Sequence, residues 1–369
     1  MADERVCLIG LTLLKGVGYV LARHLLQYFG TAAKVFDANP ELLKKVPGIG
    51  VNTAVQINES RQEALRLAEK ELSFVEKNKI RLYGFNDADY PRRLKECNDA
   101  PVVFYFKGET DLNAPKILSI VGTRRVTNYG LKLTETLVAD LAAMFPELLI
   151  ISGLAYGVDI SAHRAAMKNG LPTVGVLAHG LNLIYPYEHR KNAVEMLKHG
   201  GGLLTDFISN TNPDRENFLS RNRLIAGLAD ATIVVESAER GGSLVTADIA
   251  FSYGRDVYTF PGRTTDEFSA GCNSLIRMNK AGLITSARDL VMSLCWDVNV
   301  EILNKQPSLQ FTQRPDNPII HILEEKGEFH INRFAAEMKI PVHKMMSMLF
   351  ELELKGHIQA LPGGMYKLS

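Results

Sequence analysis

The chain has 369 residues, 46% of them apolar and 22% charged, the balance of an ordinary globular protein of two to three domains rather than a disordered or fibrous one. Its 42 basic and 41 acidic residues leave a net charge of +1, so any polyanion must be met by a local cluster rather than a global positive field. No apolar run approaches the roughly 20 residues of a membrane helix, and the opening "MADERVCLIG" lacks the pattern of a signal peptide. The expectation is therefore a cytoplasmic protein without membrane contact. Cys7, Cys97, Cys272 and Cys295 lie far apart with no C-x-x-C pair, which argues against zinc and against a disulfide framework.

Residues 1–75 read as helical and contain a weak repeat. "KGVGYVLARHLL" and "PGIGVNTAVQI" superpose Gly16, Gly18, Ala22 and Leu25 on Gly48, Gly50, Ala54 and Ile57. Each copy is a glycine-apolar-glycine turn followed by a helix with a small residue where its neighbour packs. This resembles the helix-hairpin-helix motif, and the second copy matches better. Backbone amides at such a turn can hold a phosphate without reading sequence, which makes Gly48 and Gly50 secondary phosphate candidates; the competing reading is that the glycines only make tight turns.

Residues 76–296 alternate strand-like and helix-like patterns. The strand candidates are "KILSIV", "ELLIIS", "PTVGVLA", "GLLTDF", "ATIVVES" and "DVYTFPG"; several are nearly continuous in Val, Ile and Leu, as in strands covered on both faces. Helical patterns over Leu131–Met144, Asp159–Lys168, Glu188–Lys198, Leu219–Leu228 and Leu244–Tyr253 separate them. This alternation predicts an α/β fold, a doubly wound parallel sheet whose ligand sits where strands end and helices begin. Residues 297–317 are polar and proline-bearing, a linker. Residues 318–369 read as three helices and a hairpin turned by Gly363 and Gly364, which looks like a winged helix. Its third helix carries Lys344 and Lys355 beside Glu351 and Glu353 and has no Arg, Asn or Gln, so a protein-contact or structural role is favoured over reading a duplex.

Four turns of the middle segment should meet at one edge: "VGTRR", "ISGLAYGVDISAH", "AHGLNLIYP" and "ESAERGGSLVTA". Gly122, Gly153, Gly241 and Gly242 let amides approach an anion, and Thr123, Ser152, Ser243 and Thr246 add hydroxyls. Arg124 and Arg125 supply guanidinium forks suited to phosphate. "GTRRVTNYG" is not G-x-G-x-x-G, since Arg124 replaces the second glycine, and a dinucleotide cofactor is disfavoured. In "PDRENFLSRNRLIAGLAD", Arg215, Arg221 and Arg223 surround Phe218 and Asn222. Cations interleaved with a ring suit a flexible single strand, whose bases stack on the ring. Asp159 and His163 share a helix face, but no nucleophile elbow accompanies them, and capping and packing roles are preferred. The tyrosines of "LIYPYEH" could line a pocket, but packing of their loop is the expectation.

Together "SIVGTRRVT", "ISGLAYGVDISAH", "GLNLIYP", "RENFLSRNRLIAGLAD", "GGSLVTADIA" and "VYTFPG" resemble the DNA-processing protein A family (DprA, also called Smf) over about Tyr83 to Ala287. "DADYPRRLKECNDAPVVFYFKG" resembles the family's lead-in to its extended Rossmann-like core, and the flanking segments resemble its helix-hairpin-helix (SAM-like) and winged-helix domains. The resemblance implies a non-enzymatic, cofactor-free binder of single-stranded DNA that dimerises, shields strands entering during natural transformation and loads the RecA recombinase onto them. It assigns the leading phosphate contact to Arg124, and the basic-x-x-Phe element to Arg215 with Phe218. The rival is a nucleotide-processing phosphoribohydrolase on the same sheet; "RGGSLVTAD" lacks that class's proline, third glycine and glutamate, leaving only Asp248.

Overall fold

In the computed structural model five helices lead into the sheet: α1 (Glu4–Leu11), α2 (Tyr19–Phe29), α3 (Ala32–Asp37), α4 (Pro40–Leu43) and α5 (Val51–Lys77). The structure describes residues 3–296, 317–354, 357–361 and 363–368; the expected linker, except Asn317, and Lys355 lie outside them. The repeat is present in the backbone. Gly16 and Gly48 have φ of +76° and +89°, a region glycine enters without steric cost. Gly18 and Gly50 then cap α2 and α5 with nearly identical dihedrals, −88°/179° and −87°/178°. Ala22 and Ala54 are buried, so each helix packs closely on its neighbour. The first copy docks through Tyr19 on the helix that spans Arg215–Leu228: its hydroxyl is 3.0 Å from Ser220 Oγ and its ring carries the Arg223 guanidinium at 3.6 Å. The second copy's turn is exposed at Gly48 and Gly50.

The sheet has nine strands: β1 (Arg81–Gly84), β2 (Val103–Gly108), β3 (Ile117–Val121), β4 (Leu149–Ser152), β5 (Thr173–Val176), β6 (Gly202–Thr205), β7 (Ala231–Val234), β8 (Asp256–Thr259) and β9 (Gly282–Leu283). Their order is β1-β2-β6-β5-β4-β3-β7-β8-β9. Strands β3 to β9 run parallel, while β1 and β2 close one edge antiparallel. All six strands expected from the sequence form. Those it missed are β1 and β2, which no intervening crossover helix marks as parallel neighbours, and the two-residue β9.

Helices cover both faces, as the continuous apolar strands require. The chain order of helices is α6 (Arg92–Lys95), α7 (Asn128–Met144), α8 (Val158–Lys168), α9 (Arg190–Lys198), α10 (Arg215–Leu228), α11 (Gly242–Ser252), α12 (Ala270–Arg277) and α13 (Ala287–Ser293). Leu224 and Ile225 of α10 and Ala247 and Ala250 of α11 pack with Val121, Ile151 and Val176 on one face. Leu137, Val138 and Leu141 of α7 and Ala162 of α8 pack with Leu118, Ile120 and Ile150 on the other. Strand β3 is flanked by β4 on one side and β7 on the other, so the crossovers depart in opposite directions there. That reversal opens a crevice beyond the strands' carboxyl ends, where ligands of such sheets bind.

Met1–Val298 forms one compact unit and Asn299–Ser369 another. The second contains α14 (Pro318–Lys326), β10 (Glu328–His330), α15 (Ile331–Glu337), α16 (Val342–Leu354), β11 (Ile358–Leu361) and β12 (Met365–Leu368), with sheet order β10-β12-β11. Its core is Ile320, Leu323, Phe334, Met345 and Leu349. Gly363 and Gly364, at φ +82° and +76°, turn the wing. No described helix is long and apolar enough to cross a membrane.

Candidate nucleic-acid interface

The crevice at the end of β3 holds a cleft of about 540 Å³, lined by Gly122, Thr123, Arg124, Asp159, Tyr185, Arg215, Phe218, Arg221, Asn222, Gly241, Gly242, Ser243 and Thr246 among others. Three segments build it. The first is the loop from Gly122 to Thr127. A side chain on Gly122 would run into Val158 and the Glu236 carbonyl, so glycine alone lets the chain turn here. Both ends of the loop are pinned by one residue: the Thr123 amide donates to the Glu236 carbonyl (2.7 Å), and Glu236 carboxylate oxygens accept the Thr127 amide (2.9 Å) and hydroxyl (2.6 Å). Glu236 is itself buried. Arg124 and Arg125, between these anchors, point to solvent. Sequence reasoning missed Glu236, because a glutamate ending an apolar strand carries no motif.

The second segment is α10, which starts at Arg215, four residues before the expected Leu219. Asp214 caps it by accepting the Asn217 amide at 2.9 Å, one of the orphan donors of a helix start. Starting there puts Arg215, Phe218 and Asn222 at i, i+3 and i+7, on one helical face, and that face lines the cleft. The Arg124 guanidinium carbon lies 5.3 Å from the Phe218 centroid, within cation–π range, so the loop and the helix meet at the ring. Phe218 remains partly exposed.

The third segment is the start of α11. Gly241 is its N-cap with no side-chain capping bond, so the first amides, at Gly242 and Ser243, have no intrahelical partner and face an anion-favouring end of the helix dipole. The hydroxyls are less available than expected: Ser243 is buried and donates to Ser237 Oγ at 2.9 Å, and Thr246 is buried.

Several expected contacts are corrected. Arg223 is buried in an ion pair with Asp206 and donates to the Asp99 carbonyl; five residues past Phe218, it lies on the helix's opposite side and grips no phosphate. Arg221 is also buried. Its Nη1 donates to the carbonyls of Gly153 (2.7 Å) and Val176, tying the ends of β4 and β5 into the floor of the cleft. Burial pushes its pKa down to about 10, with Asp159 opposing the shift and Arg124 adding to it, which leaves it charged at neutral pH. Gly153 is consumed: its carbonyl takes Arg221 and its amide donates to Asp159 at 3.1 Å. Ser152 is fully buried and donates to the Ile120 carbonyl at 2.6 Å. Arg125 is exposed on the loop but outside the cleft lining.

The remaining candidates fall as follows. Asp159 holds the β4–α8 loop rather than facing a nucleophile; burial raises its pKa and Arg221 and backbone donors counter that. His163 packs inside. Thr173 Oγ1 donates to the Ile150 carbonyl (2.9 Å), so it accepts from His163 Nδ1–H at 2.7 Å. Nε2 is then an unprotonated, buried nitrogen with no partner, and burial pushes the imidazole pKa down to about 3. Asp248, the acid nearest the "RGGSLVTAD" turn, is exposed and paired with Lys280 at 2.6 Å, away from the cleft lining. Tyr185 and Tyr187, expected to pack their loop, are 44% and 71% exposed.

A family model described as DNA recombination-mediator protein A matches residues 81–295, more than half of the chain and the whole of the sheet from β1 to β9. The chain belongs to this family. A SAM-like helix-hairpin-helix tandem matches residues 9–63 and a DprA winged-helix domain matches residues 306–364, so the DprA architecture extends through both flanking segments. Protein Smf of Escherichia coli K12 is 33% identical over 307 residues, 81% of this chain and 80% of the relative. The DNA processing protein DprA of Streptococcus pneumoniae is 38% identical over 210 residues, 57% of this chain and 72% of the relative. Among solved structures, S. pneumoniae DprA superposes with a TM-score of 0.67 at 31% identity, covering 79% of this chain and 98% of that one. The Helicobacter pylori protein, whose structure describes a single-stranded DNA binding mode, superposes with 0.53 at 28% identity, covering 60% and 97%. The DprA fold therefore accounts for the sheet and its crevice as well as for both accessory domains.

Proposed function

We propose that this chain is a DNA-processing protein that binds single-stranded DNA in the β3 crevice and carries out no covalent step there. The observation that carries the reading is the meeting of Arg124, Arg215, the unpartnered amides of Gly242 and Ser243 and the partly exposed Phe218 ring in one cleft. Thr123 and Gly122 shape its mouth, and Arg125 adds charge outside it. Arg124 and Arg215 neutralise phosphates, the α11 start receives another, and Phe218 stacks on an unpaired base. A duplex presents no free base face to the ring and is bound less well. The single-stranded DNA binding of the H. pylori relative supports this assignment.

Shielding of strands in transformation, loading of RecA and assembly into a homodimer belong to the same proposal and rest on family membership. A dimer has a further support in this chain: Val245, Phe251, Met278 and Leu283 are exposed apolar side chains on segments tied by the Lys280–Asp248 pair. Gly48 and Gly50 at the exposed second hairpin are proposed as an auxiliary phosphate contact. The test is a titration of the purified full chain with an unstructured oligonucleotide, with its duplex and with free nucleotides. The oligonucleotide should bind at least about tenfold tighter than the duplex, given what a stacked base contributes. Equal affinity for both, or release of free base from a nucleoside monophosphate, overturns the reading.

A further inference from the structure

The segment between β5 and α9 brings more rings to the same end of the sheet. Tyr185 lines the cleft, with its ring centroid 5.8 Å from that of Phe218. Two residues on, Tyr187 is 71% exposed, more than any other large apolar or aromatic side chain among the described residues. The Arg190 guanidinium lies 5.9 Å from the Tyr187 centroid, and Nη1 donates to its hydroxyl at 3.5 Å.

This turn is held from behind. The Tyr156 hydroxyl donates to Glu188 Oε2 at 2.9 Å, and the Tyr156 ring meets buried His189 edge-on at 4.9 Å. His189 Nδ1 is 2.8 Å from the Leu154 carbonyl. The even-numbered acid is thereby engaged by the β4–α8 loop, while Tyr185 and Tyr187 are left on the open side. A loop that packed its own aromatics would bury them; this one spends its anchoring contacts on Glu188 and His189 and presents two rings and a cation.

We propose that Tyr185, Tyr187 and Arg190 form a second stacking platform that receives the bases next to the one on Phe218. The proposal rests on the single-strand reading and adds the direction in which the strand leaves the cleft: from Phe218 across Tyr185 to Tyr187. Residues 185 and 187 are at most about 7 Å apart along the backbone, so successive splayed bases can meet successive rings. Arg190 then faces a phosphate beside the outer ring, the pattern of alternating rings and cations by which single strands are tracked.

The test compares a thymidine dinucleotide, which can cover Phe218 and Tyr185 but not Tyr187, with an oligothymidylate of about 20 nucleotides, longer than a typical single-strand site. Fluorescence anisotropy is read with the full-length wild type, Tyr187→Ala and Tyr187→Phe. Tyr187→Ala should weaken the longer strand about tenfold and leave the shorter one within about twofold, while Tyr187→Phe restores the longer one, because the ring and not the hydroxyl stacks. Wild-type affinity of Tyr187→Ala at both lengths overturns the platform and leaves the single-strand reading standing. Equal loss at both lengths also overturns it, since the ring then supports the cleft instead of extending it. Failure of the wild type to bind either strand overturns the underlying reading itself.

Discussion

Replacing Arg124 by alanine removes an exposed guanidinium of the cleft while leaving the loop's anchors, Thr123 and Thr127 on Glu236, in place. A charge-assisted hydrogen bond is worth about 1.5–3 kcal/mol; an exposed rim position sits toward the lower end, and loss of the cation over Phe218 adds about 0.5 kcal/mol. The sum, about 2 kcal/mol, corresponds to about a 30-fold weaker complex with an unstructured oligonucleotide. A second number distinguishes a phosphate contact from a general disturbance. One phosphate neutralised on a single strand contributes about −0.7 to the slope of log affinity against log salt. The Arg124→Ala slope should therefore be shallower by about that amount, and the ratio of wild-type to variant affinity should shrink about 2.6-fold between about 0.05 and about 0.2 M salt. Fluorescence anisotropy across that range reads both quantities. Parallel lines, with affinity lowered but slope unchanged, refute a direct Arg124–phosphate contact.

Arg223→Ala should behave oppositely: it strands buried Asp206, so urea denaturation of the full chain should show a loss of about 3–5 kcal/mol, with the salt slope of any residual binding unaltered. Glu236→Ala removes the carboxylate that holds Thr127 and so frees the Arg124 loop at that end, while the Thr123 amide keeps its bond to the backbone carbonyl; it should lower strand affinity about tenfold while the slope stays near wild type. His163 makes stability depend on pH. Its folded pKa of about 3 lies below the unfolded value of about 6.5, so its contribution is complete above about pH 6.5 and lost as the pH falls toward 3. Between about pH 7 and about pH 5 this amounts to about 2 kcal/mol; His179, also held low by burial, acts in the same direction. Denaturation at the two pH values should show the loss in wild type and a smaller one in His163→Asn.

The parallel strands were legible because each is a short Val/Ile/Leu run bounded by a turn and followed by a helical pattern, and the winged helix because Gly363 and Gly364 punctuate its hairpin. The cleft was legible in part. Arg124, Arg215 and Phe218 sit on a loop tip and a helix face that the sequence marks as polar with one ring. Arg221 and Arg223 were misassigned because charge alone does not reveal which face of α10 a side chain occupies. The helix start decides it, and that start is set by Asp214 capping rather than by the apolar pattern, which begins only at Leu219. Ser152 and Gly153 failed for a related reason: their polar groups are used up by Ile120, Asp159 and Arg221, partners distant in sequence. Glu236 was invisible as a site residue because nothing local distinguishes a buried anchor from a solvated acid, and Tyr185 and Tyr187 were assigned to packing over pocket lining because nothing local separates an exposed ring from a packed one.

The most direct measurement is photocrosslinking of an oligonucleotide carrying a halogenated deoxyuridine to the full chain, followed by identification of the linked peptides. The account predicts crosslinks on the peptide containing Arg215 and Phe218, with a second set around Tyr185 to Arg190, both abolished by competing unlabelled single strand. Crosslinks confined to the winged helix, or to the glycine turns of the front helices, contradict it.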